Sequence, residues 1–217
     1  EMLDAVVDTS DEDEALMDII VREVERLDGL ITSFLDYSRP KTLEREPTDL
    51  VELVEDVLGL FENRDSSRGM EVDLVVDDDA RPSWANVDRE AFRQVLWNLL
   101  NNASEATREA DPEVPRIRLT IEARGDTWIV ACEDNGSGVD DDVAERIFEP
   151  FFTTKEAGTG LGLATIYRIV DEHDGTLRLA EPESLDGARF EVELACSAEP
   201  AHRQSSQRDE STQAEAI

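Results

Sequence analysis

The sequence has 217 residues, enough for one substantial hydrophobic core and a smaller helical element. With 53 acidic and 21 basic side chains, its formal net charge of −32 at pH 7 disfavours nucleic acid and anionic membranes as partners. No apolar run approaches the ~18 residues that cross a bilayer, and no signal peptide opens the sequence, so we expect a soluble chain.

The acidic residues are spread through every segment rather than concentrated in one block, which indicates a folded acidic surface. Salt screens such self-repulsion, because the Debye length falls to ~3 Å at 1 M ionic strength. We therefore expect a halophilic source. The two cysteines, Cys132 and Cys196, show no metal-ligand spacing, so we expect reduced thiols in a cytoplasmic protein, with a strand-end disulfide as the alternative.

The first long helical pattern lies at 14–37. Its apolar residues recur at spacings of four and three, which is typical of a coiled-coil-like seam. They are Leu16, Ile20, Val24, Leu27, Ile31 and Phe34. Because a polar linker at 41–47 follows, the seam lacks a local partner and predicts a bundle between two chains. The alternative is a helix packed on its own domain.

Beyond the linker, helical and strand periodicities alternate. We expect helices at 50–61, 88–108, 143–148 and 161–171. We expect strands at 71–76, 84–87, 117–123, 128–132, 177–179 and 190–194, the last four forming two hairpins. Residues 197–217 are polar and without periodicity, which predicts a disordered tail.

Two glycine clusters in the segment 134–163 form the candidate ligand-binding site of the chain. The first reads Asp-Asn-Gly-Ser-Gly at 134–138, a pattern that plain loops share. The second reads Gly-Thr-Gly-Leu-Gly-Leu at 158–163 and precedes a helix, so its amides and the helix N-terminus can receive phosphate oxygens. This cluster follows a loop rather than a strand, which disfavours a Rossmann dinucleotide domain.

The helix at 88–108 adds two side-chain amides. Asn98 and Asn102 stand four residues apart, on one face among otherwise buried positions. Buried amides need partners, and hydrated Mg²⁺ with triphosphate oxygens would supply them. A solvent-facing position is the alternative, and it describes the neighbouring Asn101 better.

In order and residue type, these segments resemble the N, G1, F and G2 boxes of the sensor histidine kinases, within the ATPase superfamily that includes gyrase B, MutL and the large heat-shock chaperones. The resemblance covers about 50–196, and Leu-Asp-Tyr-Ser-Arg-Pro at 35–40 is similar to the end of the second helix of the kinase dimerisation and phosphotransfer domain. It implies an α+β fold, a two-layer α/β sandwich preceded by a long bundle helix. The implied parts are a partial dimerisation hairpin at 1–40, a linker at 41–47, an ATP-binding catalytic domain at 48–196 and a tail at 197–217.

The resemblance also implies roles for single residues. Asn102 would ligate Mg²⁺, Asn98 would contact phosphate or metal-bound water, and Asp134 would accept a hydrogen bond from the adenine amino group. Lys155 would approach the phosphates, although a solvated lysine is an equal alternative. The full implied set is Asn98, Asn102, Asp134, Gly136, Gly138, Thr154, Lys155, Gly158, Thr159, Gly160, Leu161 and Gly162, with Asn98 and Lys155 as its catalytic members.

One position separates the branches of this superfamily. Members that hydrolyse ATP resemble one another in a glutamate four residues before the metal asparagine, where this chain has Asn98. A carboxamide is a poor general base, which favours phosphoryl transfer to a protein histidine over hydrolysis. The resemblance further implies a flexible lid over ATP, anchored in the core by Phe148, Phe151 and Phe152.

A histidine kinase needs an acceptor histidine on its first bundle helix, and neither His173 nor His202 fits that position. We read 1–7 as the end of that helix and expect the acceptor upstream of Glu1, so that the chain binds Mg·ATP without phosphorylating itself. The expected partners are ATP, a response-regulator receiver domain and a second copy of the chain through the helix at 14–37. Membrane attachment of the parent protein stays open.

Two other functions are compatible with these motifs. One is a non-catalytic nucleotide-binding module that pairs with intact kinases. The other is a protein-serine kinase of the anti-sigma type, which the bundle helix and Asn98 disfavour.

Overall fold

The computed structural model describes residues 42–64, 67–77, 80, 82–155 and 158–199, together with individual positions between 16 and 35. The described positions between 16 and 35 are helical, and we label them together α1. The predicted helix end at 1–7 and most of the predicted tail lie outside the described residues.

The described strands are β1 (Glu46–Asp49), β2 (Glu71–Val76), β3 (Trp84–Val87), β4 (Arg116–Arg124), β5 (Thr127–Asp134), β6 (Thr176–Ala180) and β7 (Arg189–Ala195). Five of them form one sheet in the order β2-β4-β5-β7-β6. In this sheet β2 runs parallel to β4, and the other neighbours are antiparallel. The remaining pair, β1 and β3, forms a separate antiparallel sheet.

Helices cover one face of the five-stranded sheet. They are α2 (Leu50–Glu62), α3 (Arg89–Ala110), α4 (Asp141–Ala144) and α5 (Gly162–Asp171). The apolar stripes of α2, α3 and α5 meet alternate residues of the strands in one core, which includes Phe61, Phe92, Leu96, Leu100, Ile121, Val130, Ile166 and Val192. The two layers confirm the predicted α+β sandwich.

Aspartates fix the start of both long helices. The Asp49 carboxylate accepts the N–H of Val51 at 3.0 Å, and the Asp88 carboxylate accepts the N–H of Ala91 at 3.0 Å. Such N-caps satisfy amides that have no partner inside the helix. The predicted starts of these helices are therefore confirmed within a residue.

The predicted helix at 143–148 is wrong. Helix α4 covers only Asp141–Ala144, and turns follow it. The N–H of Arg146 donates to Val143 O at 2.8 Å, and the N–H of Glu149 donates to Arg146 O at 2.9 Å, both across three residues. Pro150 lacks an N–H to extend a helix, so the apolar spacing in this segment reflects packing rather than helical structure.

The second half of the predicted linker at 41–47 belongs to the globular domain. Glu46 and Pro47 lie in β1, where a proline is tolerated because the strand is at a sheet edge. The N–H of Glu44 donates to the Asp88 carboxylate at 3.0 Å. Arg45 donates to the Asp174 carboxylate at 2.7 Å and to the carbonyl of Glu172. The prediction failed because a short polar strand carries no hydrophobic alternation.

The apolar side chains described in α1 lie on the surface of the chain. Leu16 is 56% exposed, Leu27 is 50% exposed and Ile31 is 58% exposed. The ring of Phe34 stacks on Phe151, with centroids 6.5 Å apart. The bundle between chains stays a prediction. None of the helices among the described residues combines the length and hydropathy that a bilayer span requires.

His173 is buried and joins the end of α5 to the start of α3. Its Nε2 accepts the N–H of Asp88 at 2.9 Å, and its Nδ1 lies 2.6 Å from the carbonyl oxygen of Ile169. Because an amide can only donate, Nε2 is the unprotonated nitrogen, and Nδ1 donates to Ile169. Through these two hydrogen bonds the ring connects α5 to α3.

Replacing His173 with phenylalanine should remove the acceptor of the Asp88 N–H. We expect the free energy of unfolding to fall by about 1–3 kcal/mol, the cost of an unsatisfied donor. Urea denaturation followed by circular dichroism measures this change. The His173→Gln variant, whose amide oxygen can accept the same hydrogen bond, should recover part of the loss. A phenylalanine variant as stable as the parent would contradict this role.

Candidate functional site

A cavity of about 660 Å³ opens between α3, the first glycine cluster, the segments 152–155 and 158–160, and the start of α5. This volume lies in the range of small-molecule sites. Nine predicted site residues line it: Asn102, Asp134, Gly138, Thr154, Lys155, Gly158, Thr159, Gly160 and Gly162. Segments far apart in sequence thus converge on one cavity, as the motifs predicted.

Three predicted residues lie outside the cavity wall. Asn98 is half-buried on α3, about 6 Å along the helix axis from Asn102. Gly136 packs against α3, where an added Cβ would lie 2.7 Å from the backbone of Ala106. Leu161 is buried, with 1% of its surface exposed.

Three carboxylates that the sequence reasoning missed also line the cavity, namely Glu105, Glu109 and Asp140. Glu105 and Glu109 follow Asn102 by three and seven residues, a spacing that places all three on one face of α3. Helical periodicity could therefore have found them. Apart from Ala106 on α3, the apolar part of the wall comes from other segments and has no such signal: Val139, Val143, Ile147, Phe152, Leu163, Ala188 and Phe190.

Asp134 is a buried carboxylate at the end of β5, with 3% of its surface exposed. Its Oδ1 accepts the N–H of Gly136 at 2.8 Å and the N–H of Ala188 at 3.3 Å. Burial raises the pKa of the Asp134 carboxyl above its ordinary value, against the lowering effect of these N–H groups and of Lys155. The backbone thus fixes the orientation of a carboxylate that faces the cavity.

The loop before β7 is shaped around Asp134. A Cβ at Gly187 would lie 2.4 Å from the Asp134 Oδ1, so only glycine allows this approach. The neighbouring Glu133 carboxylate accepts the N–H groups of Glu183, Ser184 and Leu185 at 3.0, 2.7 and 2.5 Å. Burial acts to raise the pKa of Glu133, but these hydrogen bonds outweigh it and lower that pKa.

Arg189 supports this loop from the other face of the sheet. Its guanidinium is 1% exposed and lies 3.4 Å from Glu133, 2.9 Å from Glu191 and 3.2 Å from Glu122. A buried cation needs such partners, because an unpaired charge inside a protein is strongly destabilising. Glu133 is therefore held on one side by Arg189 and on the other by the loop that it orders.

The lid segment, defined here as 149–155 and 158–160, closes on itself at its base. The N–H of Phe151 donates to Gly160 O at 2.8 Å. Phe151 and Gly160 both have left-handed backbone, with φ of 67° and 66°. A Cβ at Gly160 would lie 2.4 Å from the carbonyl carbon of Phe151. Glycine is therefore required at 160 by both its backbone angle and the available space.

The three phenylalanines predicted to anchor the lid, Phe148, Phe151 and Phe152, differ in burial. Phe148 and Phe152 pack against the core, and the Phe148 ring meets Phe190 edge-on at 6.5 Å. Phe151 is 58% exposed, so the expectation that it anchors the lid in the core is wrong. The left-handed backbone that follows Pro150 turns its side chain outward, toward Phe34 of α1.

Lys155 is paired at the cavity wall rather than freely solvated. Its Nζ lies 2.7 Å from the Glu105 carboxylate, and 26% of its side chain is exposed. Lys155 thus lies at the cavity wall, and its approach to phosphates stays a prediction.

Asn102 is the predicted metal ligand. Its amide oxygen lies 3.5 Å from the position of a Cβ at Gly162, beside the second glycine cluster. In the part of the chain that the structure describes, no group of three or more His, Cys, Asp and Glu side chains could hold a metal ion. One amide oxygen together with phosphate oxygens and water fits Mg²⁺, which keeps several waters and uses few protein ligands.

Replacing Gly160 with alanine should destabilise the lid base. The left-handed backbone costs a non-glycine residue about 1–2 kcal/mol, and the contact with Phe151 adds to it. Gly59 in α2 is the matched control, because an added Cβ there meets nothing within 4 Å. Gly59→Ala should gain about 0.5–1 kcal/mol, since alanine is the better helix former. Urea unfolding of both variants decides, and equal effects at the two positions would refute the requirement at 160.

Comparison with known proteins gives a consistent result. The profile of the family described as histidine kinase-, DNA gyrase B-, and HSP90-like ATPase matches residues 87–198. The signal transduction histidine-protein kinase AtoS of Escherichia coli (strain K12) is 35% identical over 165 residues, 76% of this chain and 26% of AtoS. The chain spans between 23% and 38% of the length of the first curated relatives that it matches.

Solved structures show the same likeness. The catalytic domain of histidine kinase ThkA is 33% identical with a TM-score of 0.61, covering 70% of this chain and 95% of that one. ThkA in complex with the response regulator protein TrrA is 31% identical with a TM-score of 0.68, covering 84% and 51%. Full-length ShkA in complex with AMPPNP is 26% identical with a TM-score of 0.69, covering 88% and 40%.

Proposed function

The chain belongs to the histidine kinase-, DNA gyrase B-, and HSP90-like ATPase family, and on this premise we propose that it transfers the γ-phosphoryl group of ATP to a histidine of a two-component sensor kinase. The carrying observation is one cavity that joins a buried, backbone-oriented carboxylate, Asp134, to the glycine-rich start of α5. Such a cavity offers an acceptor for a base at one part of its wall and amides for phosphates at another.

Each part of ATP has a candidate contact. The Asp134 carboxylate would accept a hydrogen bond from the adenine amino group. Amides in 158–162 and the positive N-terminal end of α5 would receive phosphate oxygens, with Lys155 as the neighbouring cation. Mg²⁺ bound to the Asn102 amide oxygen would neutralise phosphate charge.

The transfer step is a displacement at phosphorus. A bond forms between an imidazole nitrogen and the γ-phosphorus, the bond to the bridging oxygen breaks, and ADP leaves. The protein supplies position and charge neutralisation in such reactions. Asn98 lies one turn of α3 from Asn102 and outside the cavity wall, so it would act through metal-bound water. As an amide it cannot serve as the general base that hydrolysis requires.

The partners follow from the exposed surfaces and from the relatives. We propose homodimerisation through α1, whose described apolar side chains are exposed: Leu16, Ile20, Val24, Leu27 and Ile31. ThkA forms a complex with a response regulator, and we propose that a receiver-domain aspartate accepts the phosphoryl group here. Free thiols at Cys132 and Cys196 and the need for ATP favour the cytoplasm.

Changing Asp134 to asparagine should weaken nucleotide binding without loss of stability. The N–H groups of Gly136 and Ala188 would hold the asparagine oxygen in the place of Oδ1. The amide nitrogen would then take the place of the other oxygen, where it cannot accept from adenine. We expect affinity to fall by about 10- to 100-fold, the equivalent of a hydrogen bond to a charged group. Because burial raises the pKa of Asp134, the folded protein holds that proton more tightly than the unfolded chain does. The ionised carboxylate therefore costs stability above that pKa, and Asp134→Asn should be at least as stable at pH 7. Calorimetric titration and thermal unfolding measure the two effects.

Asp140→Asn is the control for this experiment, because Asp140 lines the same cavity and is exposed. A similar loss of affinity in both variants would contradict the role of Asp134. Transfer itself is tested with γ-labelled ATP and a kinase fragment that carries an acceptor histidine but cannot bind ATP. The parent chain should label that histidine, and the Asp134→Asn variant should label it more slowly when ATP is subsaturating. Nucleotide binding without labelling would instead favour a non-catalytic module.

We also propose that the chain is adapted to high salt. Its net charge of −32 is self-repulsive, and ions at molar concentration screen that repulsion. Thermal unfolding in multimolar KCl should therefore occur at a higher temperature than in low salt. Equal stability in the two conditions would contradict the proposal.

A further inference from the structure

We propose that Glu105 is a positioning residue that holds Lys155 while the site is empty and releases it to the phosphates when a nucleotide enters. This inference rests on the proposed function, because the competing ligand is the polyphosphate chain of ATP. It assigns a role to a carboxylate that the nucleotide motifs do not include. The consequence is a site whose affinity depends on the exchange of one counter-ion for another.

The contact joins two distant parts of the chain. Lys155 Nζ donates to the Glu105 carboxylate at 2.7 Å, across 50 residues of sequence. The N–H of Lys155 also donates to the Thr153 hydroxyl at 3.1 Å, which holds the backbone of the lid segment in a turn. A charge-assisted hydrogen bond of this length is among the stronger polar contacts. It therefore ties the lid segment to the middle of α3.

The charges around the Lys155–Glu105 pair explain why it should affect phosphate binding. Among the described residues that line the cavity, Lys155 is the only lysine or arginine, whereas four carboxylates line it. These carboxylates are Glu105, Glu109, Asp134 and Asp140. A polyphosphate that enters this cavity meets net negative charge. It needs the Lys155 ammonium, which is paired with Glu105 in the empty site.

The ion pair is placed so that it can be exchanged. The Lys155 side chain is 26% exposed and that of Glu105 is 55% exposed, so water reaches the carboxylate when the lysine leaves. Breaking a buried ion pair is costly because it leaves an unpaired charge in the core. The exchange would leave neither charge in the core. Glu105 can therefore release Lys155 without damage to the fold.

An interaction made only in the empty state opposes ligand binding, because binding must first break it. Glu105 should thus weaken nucleotide affinity, in contrast to an ordinary binding residue. The effect should be confined to ligands whose phosphates reach Lys155. Adenosine, which lacks phosphates, should not displace the carboxylate, so the pair should leave the affinity for nucleosides unchanged.

The test compares Glu105→Gln with Glu109→Gln. Both changes remove one negative charge from the cavity face of α3, but the Lys155 ammonium bonds to Glu105. At low salt, Glu105→Gln should bind ATP about two- to fivefold more tightly than Glu109→Gln, the range that a surface ion pair supports. Adenosine affinity should be equal in the two variants, and the difference for ATP should shrink in high salt. Calorimetric titration gives these affinities.

A second readout does not depend on nucleotide. Amide hydrogen exchange of the lid segment in the empty protein should be faster in Glu105→Gln than in the parent and unchanged in Glu109→Gln. In a Lys155→Met background the two glutamate variants should become equivalent in both measurements. A merely structural role for Glu105 would weaken ATP binding instead of strengthening it.

Three results would overturn the proposal. They are equal ATP affinities for the two glutamine variants at low salt, weaker binding by Glu105→Gln, and a difference that survives the removal of Lys155. A parent chain that binds no nucleotide would overturn both the proposed function and the proposed release of Lys155 from Glu105. Normal nucleotide binding with equal variants would overturn the role of Glu105 alone.

Discussion

The Asp134 carboxylate ends β5 inside the protein, and a charge in that position requires donors on every side that water cannot reach. The backbone supplies them through Gly136 and Ala188, and this is possible only because Gly187 lets the loop approach the carboxylate. Behind it, Glu133 gathers three amides of the same loop, and Arg189 neutralises Glu133. Two adjacent carboxylates, Asp134 and Glu133, thus hold the loop before β7 through hydrogen bonds from its backbone.

The other side of the site depends on two helices held at their ends. Asn102 lies on α3 and the second glycine cluster begins α5, so the width of the cavity depends on how these helices pack. His173 connects the end of α5 to the Asp88 amide at the start of α3. Glu44 and Arg45 contact the same two ends. The segment that leads from α1 into the domain is therefore in contact with both helices of the site.

Many of the helices and strands, and the glycine motifs of the site, could be predicted because they depend on local sequence patterns. The alternation in β4 and β5, the apolar periodicity of α3 and the glycine spacing at 158–162 are each set by neighbours in sequence. The failures involve contacts between distant residues. β1 has no apolar alternation and exists because β3 pairs with it. The outward turn of Phe151 depends on its hydrogen bond to Gly160, and the role of Lys155 depends on a glutamate 50 residues earlier.

Basic side chains are scarce in this acidic chain, and their burial determines what each can do. Arg189 is 1% exposed among four carboxylates, so its removal would strand buried charges, and no ligand can compete for it. Arg89 bridges α2 and α3 through Asp56 at 2.6 Å, with 28% of its side chain and 47% of that of Asp56 exposed, so salt weakens the pair. The Lys155–Glu105 pair is about as exposed as the Arg89–Asp56 pair, but it lies at the wall of the cavity. A polyanion that enters the cavity can therefore replace Glu105 as the partner of Lys155, whereas it cannot replace the carboxylates around Arg189.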